Sequence, residues 1–100
     1  MTLDFFLKNY KLEELDINKI FIKNNELRLV VKYNVYLELI ANGYRPEMNM
    51  DIDKTFVFNC SYKNHTFKTN NLEIIDYSND ILTIKIEDVI LKVSGNVNVE

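Results

Sequence analysis

Hydrophobic and polar residues alternate along most of this chain with a period of two, the pattern of β-strands that bury one face. The longest alternation covers residues 26–40, where the even positions are mostly polar and the odd positions from 27 to 39 are all apolar or aromatic. At ~3.3 Å per residue it would extend about 45 Å, well beyond an ordinary strand. We therefore expect it to bend or bulge near Asn34.

The N-terminal segment has a longer period, which predicts a helix. Apolar side chains recur there at i, i+3, i+4 and i+7, and Thr2 is placed to cap the helix; the apolar positions are Leu3, Phe6, Leu7 and Tyr10. The pattern predicts a helix over about residues 3–12 that packs one apolar stripe against a sheet.

Turn residues divide the rest of the chain, from about residue 17 to 99, into short strands. Asn24-Asn25 predicts a tight hairpin, Asn64-His65-Thr66 a turn, and Gly95-Asn96 a break before a short last strand. Between these turns we expect strands over residues 17–23, 55–62, 72–77, 81–87 and 89–93, and in the second of these we expect Phe56, Phe58, Cys60 and Tyr62 to face inward.

Most of the connections are too short for the crossovers that parallel strands need, so neighbouring strands should be antiparallel. The predicted fold class is therefore mainly β (α+β): an antiparallel meander of about six to seven strands, curled into a half-barrel or a small sandwich, with one N-terminal helix. A chain of 100 residues has room for one such domain, spanning residues 1–100.

Composition narrows the class of partner. The chain is 47% hydrophobic and 27% charged, which is typical of a soluble globular domain, and its net charge of −3 has the wrong sign for a nucleic-acid binder. The sequence contains no apolar run of the ~18 residues that a membrane span needs, and its single cysteine, Cys60, cannot form an intrachain disulfide. We expect a cytoplasmic protein that binds neither nucleic acid nor a membrane.

Motifs that carry chemistry are sparse. One histidine and one cysteine exclude a Cys/His zinc cluster, and the sequence has no P-loop, HExxH or GxGxxG motif, so we expect no metal, no cofactor and no enzyme activity. Cys60 and His65 could form a nucleophile and base pair. We favour a core cysteine instead, because Cys60 shares its strand face with Phe58 and free cysteines are often buried.

Two acidic groups could gather carboxylates: Asp51-Ile52-Asp53 together with Glu47, and Glu13-Glu14 together with Asp16. A hard cation needs several oxygen ligands at once, and neither group has the spacing of a calcium loop. We interpret the first group as solvated loop charges and the second as an exposed helix end or linker.

The best candidate for a binding surface lies at residues 41–53, which we interpret as an exposed loop. Tyr44 and Arg45 belong to the residue types that most often anchor interfaces, because each brings a large contact area and directional hydrogen bonds. We predict that they bind a partner together with Glu47 and the outward-facing Tyr36. The alternative is a plain connection in which Tyr44 packs locally on the sheet.

Five segments follow one another in a recognisable order: the opening helix Asp4-Phe5-Phe6-Leu7, the long strand at 26–39, the loop Tyr44-Arg45-Pro46, and the strands at 56–58 and 71–76. In this layout the chain resembles a loose group of small, largely uncharacterised β-rich bacterial proteins, some of which are immunity-type partners of secreted toxins. In proteins of that group we would expect a His-Asp pair before the first strand, and this chain has Leu15-Asp16 there instead. The resemblance implies a small intracellular binding module.

The function we predict is a non-enzymatic intracellular module that binds another protein, such as an immunity or inhibitor protein that neutralises its partner. One alternative is a self-associating structural β module, a homodimer that pairs edge strands through Val97-Asn98-Val99. A second is a small-ligand-binding or hydrolytic β-barrel that uses Asp51, Asp53 or His65 at its mouth.

Overall fold

The computed structural model describes residues 1–34 and 51–100. The candidate residues Tyr36, Tyr44, Arg45 and Glu47 lie outside this range, as does the chain beyond Asn34 where a bend was expected. The predicted loop at 41–53 is wrong at its end, because residues 51–53 already belong to a strand.

The described residues form one helix, one 3₁₀ turn and seven strands. The helix α1 spans Leu3–Asn9 and the 3₁₀ turn spans Leu12–Glu14. The strands are β1 (Ile17–Lys23), β2 (Glu26–Asn34), β3 (Asp51–Cys60), β4 (Asn64–Thr66), β5 (Glu73–Ser78), β6 (Ile81–Ile86) and β7 (Val89–Val99).

The helix begins where the sequence predicts it and ends sooner. Thr2 Oγ1 accepts a hydrogen bond from the Phe5 backbone amide at 3.1 Å, which caps the first turn. Tyr10 is already extended, so α1 stops at Asn9 and the chain makes the separate 3₁₀ turn instead of continuing to residue 12.

The seven strands pair antiparallel in the order β4-β1-β2-β3-β7-β6-β5, and the sheet curls into a half-barrel. This confirms the predicted mainly β fold with one N-terminal helix. Two local meanders, β1-β2-β3 and β5-β6-β7, are joined by the pairing of β3 with β7. The pairing of β3 with β7, which are distant in sequence, therefore unites the two meanders in one sheet.

The hairpin between β1 and β2 turns at Asn24-Asn25, as predicted. Both residues have positive φ, 52° and 62°, which is the conformation that a two-residue hairpin of right-handed twist needs and that asparagine tolerates. Asn25 also joins this turn to the end of β3, since its carbonyl accepts from the Cys60 amide at 3.0 Å and its side-chain amide donates to the carbonyls of Ser61 and Tyr62.

The core lies on the concave face of the sheet, where α1 packs. Phe6 is fully buried, and its ring lies 5.0–5.3 Å from three other rings, those of Tyr10, Phe56 and Phe58. Both meanders supply the remaining aliphatic side chains of this core, among them Ile20, Leu27, Leu29, Leu82, Ile84, Leu91 and Val93. A single hydrophobic core therefore ties the two halves of the sheet together.

Two turn predictions are wrong. Asn64-His65-Thr66 forms the short strand β4, because it pairs with the open side of β1 at Ile22 and Lys23 and is followed by the buried Phe67. Gly95-Asn96 does not end a strand: Gly95, with φ 79°, forms a bulge within the continuous strand β7.

Val97-Asn98-Val99 is consequently not an edge. Val99 pairs with Phe56 of β3, and on the other side the Val97 amide donates to the Met1 carbonyl at 2.7 Å. The N-terminal ammonium of Met1 donates back to the Val97 carbonyl at 2.8 Å. Within this segment Val97 therefore has a backbone partner in its own chain on the side away from β3, and Asn98 and Val99 pair with β3 on the other.

The predicted inward face of the third strand ends early. Phe56 and Phe58 are buried and Cys60 is half-buried against the core, but Tyr62 is exposed. The reason is that β3 stops at Cys60, so the period-two alternation no longer applies two residues later.

Neighbouring phenylalanines on α1 offer a matched test of this core. Phe6→Ala should lower the free energy of unfolding by about 3–5 kcal/mol, because it empties the centre of the aromatic cluster. Phe5→Ala should change it by less than about 0.5 kcal/mol, since the Phe5 side chain is 55% exposed. Urea unfolding followed by circular dichroism measures both; equal losses for the two variants would contradict this account of the core.

Candidate functional site

The acidic groups singled out in the sequence do not form cation sites in the described part of the chain. Asp53 Oδ1 accepts a hydrogen bond from the Asn18 side-chain amide at 3.2 Å, and Asp53 lies opposite Lys32 in the register of β2 and β3. Across residues 1–34 and 51–100 there is no group of three or more His, Cys, Asp or Glu side chains placed to hold a metal ion. Asp53 therefore has a role within the sheet.

Glu13, from the second acidic group, stabilises a sheet edge. Its carboxylate Oε1 accepts a hydrogen bond from the backbone amide of Ile74 at 2.8 Å, and Ile74 belongs to the edge strand β5. The exposed 3₁₀ turn thus occupies one of the donors that another chain would use to extend the sheet. The predicted exposed linker is correct, and it has this additional structural task.

The Cys60 side chain contacts the core and not a catalytic base. Its Sγ donates to the Tyr62 carbonyl oxygen at 3.6 Å, and burial raises the pKa of the thiol. The His65 ring packs against the ring of Phe67, with centroids 4.5 Å apart. A raised pKa lowers the fraction of reactive thiolate, which supports the core-cysteine interpretation over the nucleophile pair.

The convex side of β5, β6 and β7 exposes an apolar surface that the sequence reasoning missed. Ile75, Ile81 and Ile90 are 49%, 40% and 58% exposed, and we call the convex side of these three strands the isoleucine face. Each isoleucine belongs to an apolar doublet: Ile74-Ile75, Ile81-Leu82 and Ile90-Leu91. Because neighbouring strand residues point to opposite faces, such a doublet should have predicted one outward apolar side chain.

The isoleucine face is ordered in rows that run across the three strands. The pairing registers place one residue of β5, β6 and β7 in each row, and nearly all of these residues are exposed; the rows are Glu73-Lys85-Ile90, Asp76-Thr83-Lys92 and Ser78-Ile81-Ser94. Ile75 is the extra residue of a bulge between Ile74 and Asp76. Apolar side chains are therefore interspersed with charged and small polar ones over a surface three strands wide.

The charges on the isoleucine face balance. Two carboxylates, Glu73 and Asp76, lie on β5, and two lysines, Lys85 and Lys92, lie on β6 and β7. The hydroxyl of Ser78 donates to Asp76 Oδ2 at 2.8 Å, which holds that carboxylate in place. The isoleucine face thus combines exposed apolar area with charged side chains of both signs in fixed positions. Protein interfaces combine the same two features.

On the other half of the convex side, one outward apolar side chain is buried next to a group of ion pairs. Val57 points outward from β3 but is buried, and its neighbours in the register are Arg28 and Asn98. Arg28 donates to Glu26 at 3.1 Å and to Glu100 at 2.7 Å. The buried Val57 beside this ion-pair group contrasts with the exposed isoleucines on the other half.

A shallow cavity of about 530 Å³ lies where the N-terminal segment meets β7. Its lining mixes apolar surface with polar side chains, among them Asp4, Asp80 and Asn96. Burial and the two nearby carboxylates of Asp4 and Asp80 raise the pKa of the Tyr77 hydroxyl. The raised pKa keeps the Tyr77 hydroxyl neutral near pH 7.

No protein-family model, curated protein or solved structure matches this chain. In the described ranges, no helix has the length and apolar character needed to cross a membrane.

Glu13 and Glu14 allow the edge contact to be tested. Glu13→Ala should accelerate hydrogen exchange of the Ile74 amide, because that donor loses its acceptor, whereas Glu13→Gln keeps a side-chain oxygen and should largely preserve protection. Glu14→Ala is the matched control and should leave Ile74 unchanged. Nuclear magnetic resonance reads this amide individually; equal exchange in Glu13→Ala and the wild type would show that the contact is absent in solution.

The reactivity of Cys60 tests the core-cysteine interpretation. Alkylation at mildly alkaline pH should be several-fold slower in the native protein than in the urea-unfolded chain, and its rate should rise at higher pH, because the folded thiol has the higher pKa. His65→Ala should leave the native rate unchanged. A markedly slower reaction in that variant would instead support a Cys60 and His65 pair. Mass spectrometry of the labelled protein follows both rates.

Proposed function

We propose that this chain is a protein-binding module without catalytic activity, and that it binds through the isoleucine face. The observation that carries the proposal is the exposure of Ile75, Ile81 and Ile90 on one convex surface with charged side chains between them. Binding a partner would remove this apolar surface from water, which lowers the free energy of the complex.

The inhibitor or immunity role expected from the sequence is the finer form of this proposal. A short chain that presents a rigid sheet surface loses little conformational freedom on binding, which favours a tight complex with a preformed partner. The loop residues Tyr44, Arg45 and Glu47, with Tyr36, stay in the proposal as a second contact region predicted from the sequence.

The interior of the half-barrel argues against the ligand-binding or hydrolytic alternative. Phe6 and the surrounding aliphatic side chains fill the concave face, where a barrel enzyme would place its substrate. Of the three residues suggested for that activity, Asp53 binds Asn18 and His65 packs on Phe67. The convex surface is therefore the better candidate.

A pull-down comparing matched variants tests the proposal. Tagged wild-type protein should recover one partner in stoichiometric amount from a lysate, and Ile81→Ser/Ile90→Ser should weaken that complex by about 1–3 kcal/mol per anchoring residue. Tyr62→Ser is the control, because it removes an exposed apolar side chain outside the isoleucine face. An untagged second copy of this chain counts as a partner.

Two outcomes of this experiment would contradict the proposal. One is a partner recovered equally well by the wild type and the double isoleucine variant, which would move the binding site elsewhere. The other is recovery of the tagged chain alone at every salt concentration tested, which would remove protein binding as its function.

A further inference from the structure

The two carboxylates of the isoleucine face and its outermost lysine lie on opposite sides of the central strand β6. Glu73 and Asp76 are on β5, and Lys92 is on β7. Asp76 and Lys92 share a row but are separated by Thr83, so their strands are two spacings, about 10 Å, apart. At that separation they do not form an ion pair within one chain.

A twofold axis parallel to β6 would bring these groups together between two copies. Rotation about such an axis places β5 of one copy over β7 of the other and keeps each residue at the height of its own row. Asp76 of each copy then faces Lys92 of the other, and this contact occurs twice because a twofold interface is reciprocal.

The other rows are compatible with the same axis. Ile81, in the centre of its row, meets its counterpart on the axis, and Ile90 of one copy lies over β5 of the other near Glu73. The two Lys85 side chains also approach the axis, where the Glu73 carboxylates of both copies flank them. Each row that carries charge thus has no net charge in the dimer, and the isoleucines of both copies are buried in the same contact.

The edges of the sheet are poor alternatives for pairing two copies. Strand β5 carries a bulge at Ile75, two carboxylates at Glu73 and Asp76, and the Glu13 contact to the Ile74 amide. Strand β4, at the other edge, has only three residues. Bulges, charges and short length are the features that prevent edge-to-edge association, so the face is the better surface.

We propose that the isoleucine face binds a second copy of this chain, with β6 on a twofold axis and reciprocal ion pairs between Asp76 and Lys92. The second copy is thus the partner that the isoleucine face binds, and this rests on the proposed function, protein binding through that face. A contact only three strands wide is small, so the dimer should dissociate on dilution.

Charge exchange tests the geometry of this dimer. Sedimentation of the wild type from micromolar to millimolar concentration should show a monomer and dimer in equilibrium. Asp76→Lys and Lys92→Asp should each raise the dissociation constant about tenfold or more, because like charges then face each other. The double variant Asp76→Lys/Lys92→Asp should restore association, because the opposite charges are exchanged.

Mixing the two single variants gives a sharper readout. In the mixed pair the new lysine of one copy faces the new aspartate of the other, and the original Lys92 faces the original Asp76, so the mixture should associate although each variant alone does not. Glu14→Lys and Lys11→Asp make the same charge changes outside the isoleucine face and should leave the dissociation constant unchanged. Circular dichroism verifies that every variant is folded.

A wild type that is monomeric at millimolar concentration would overturn the inference. So would a dimer that the single charge variants leave intact. These results are distinct from failure of the proposed function: a monomer whose complex with another protein is weakened by Ile81→Ser/Ile90→Ser would keep the function and exclude the second copy as the partner.

Discussion

The fold depends on one constraint: the chain has only a short helix with which to cover the apolar face of its sheet. Seven strands side by side are about 29 Å wide, whereas the seven-residue helix α1 is about 10 Å long. A flat sheet would leave most of its apolar face in water, so the sheet has to curl until its own halves cover each other around Phe6. Bulges at residues 17–19, at Ile75 and near Gly95 interrupt the regular register and allow this curvature.

Curling hides one face of the sheet and turns the other into a convex outer surface. The two halves of that surface differ. On β1, β2 and β3 the outward Val57 is buried beside Arg28, whose guanidinium is held by Glu26 and Glu100. On β5, β6 and β7 the isoleucines remain exposed. Since the first half shows that the fold can bury an outward apolar side chain, the exposed isoleucines are a distinct feature of the second half and the basis of its proposed binding role.

Local patterns in the sequence predicted the parts of the fold that local physics determines. Period-two alternation located the strands, and Asn24-Asn25 located a hairpin, because these features depend on neighbouring residues. The pattern could not predict β4, whose Asn64-His65-Thr66 is strand only because β1 offers it an open edge. Residue type favours Tyr44 and Arg45 as interface anchors, and both lie outside the described residues. The isoleucine face was missed because its doublets were not assigned to opposite faces of the sheet.

Net charge bears on whether two such convex faces can approach each other. The whole chain carries −3, but the charges in the rows of the isoleucine face cancel, with Glu73 and Asp76 balanced by Lys85 and Lys92. The surplus of acidic side chains therefore lies elsewhere on the molecule, where the Debye length of about 8 Å at physiological ionic strength screens its repulsion between copies. Salt would weaken both that repulsion and the attraction within the rows, whereas the free energy of burying isoleucine is not weakened by charge screening. The apolar contribution then determines whether association persists at physiological ionic strength, and the charges determine the orientation of the partner.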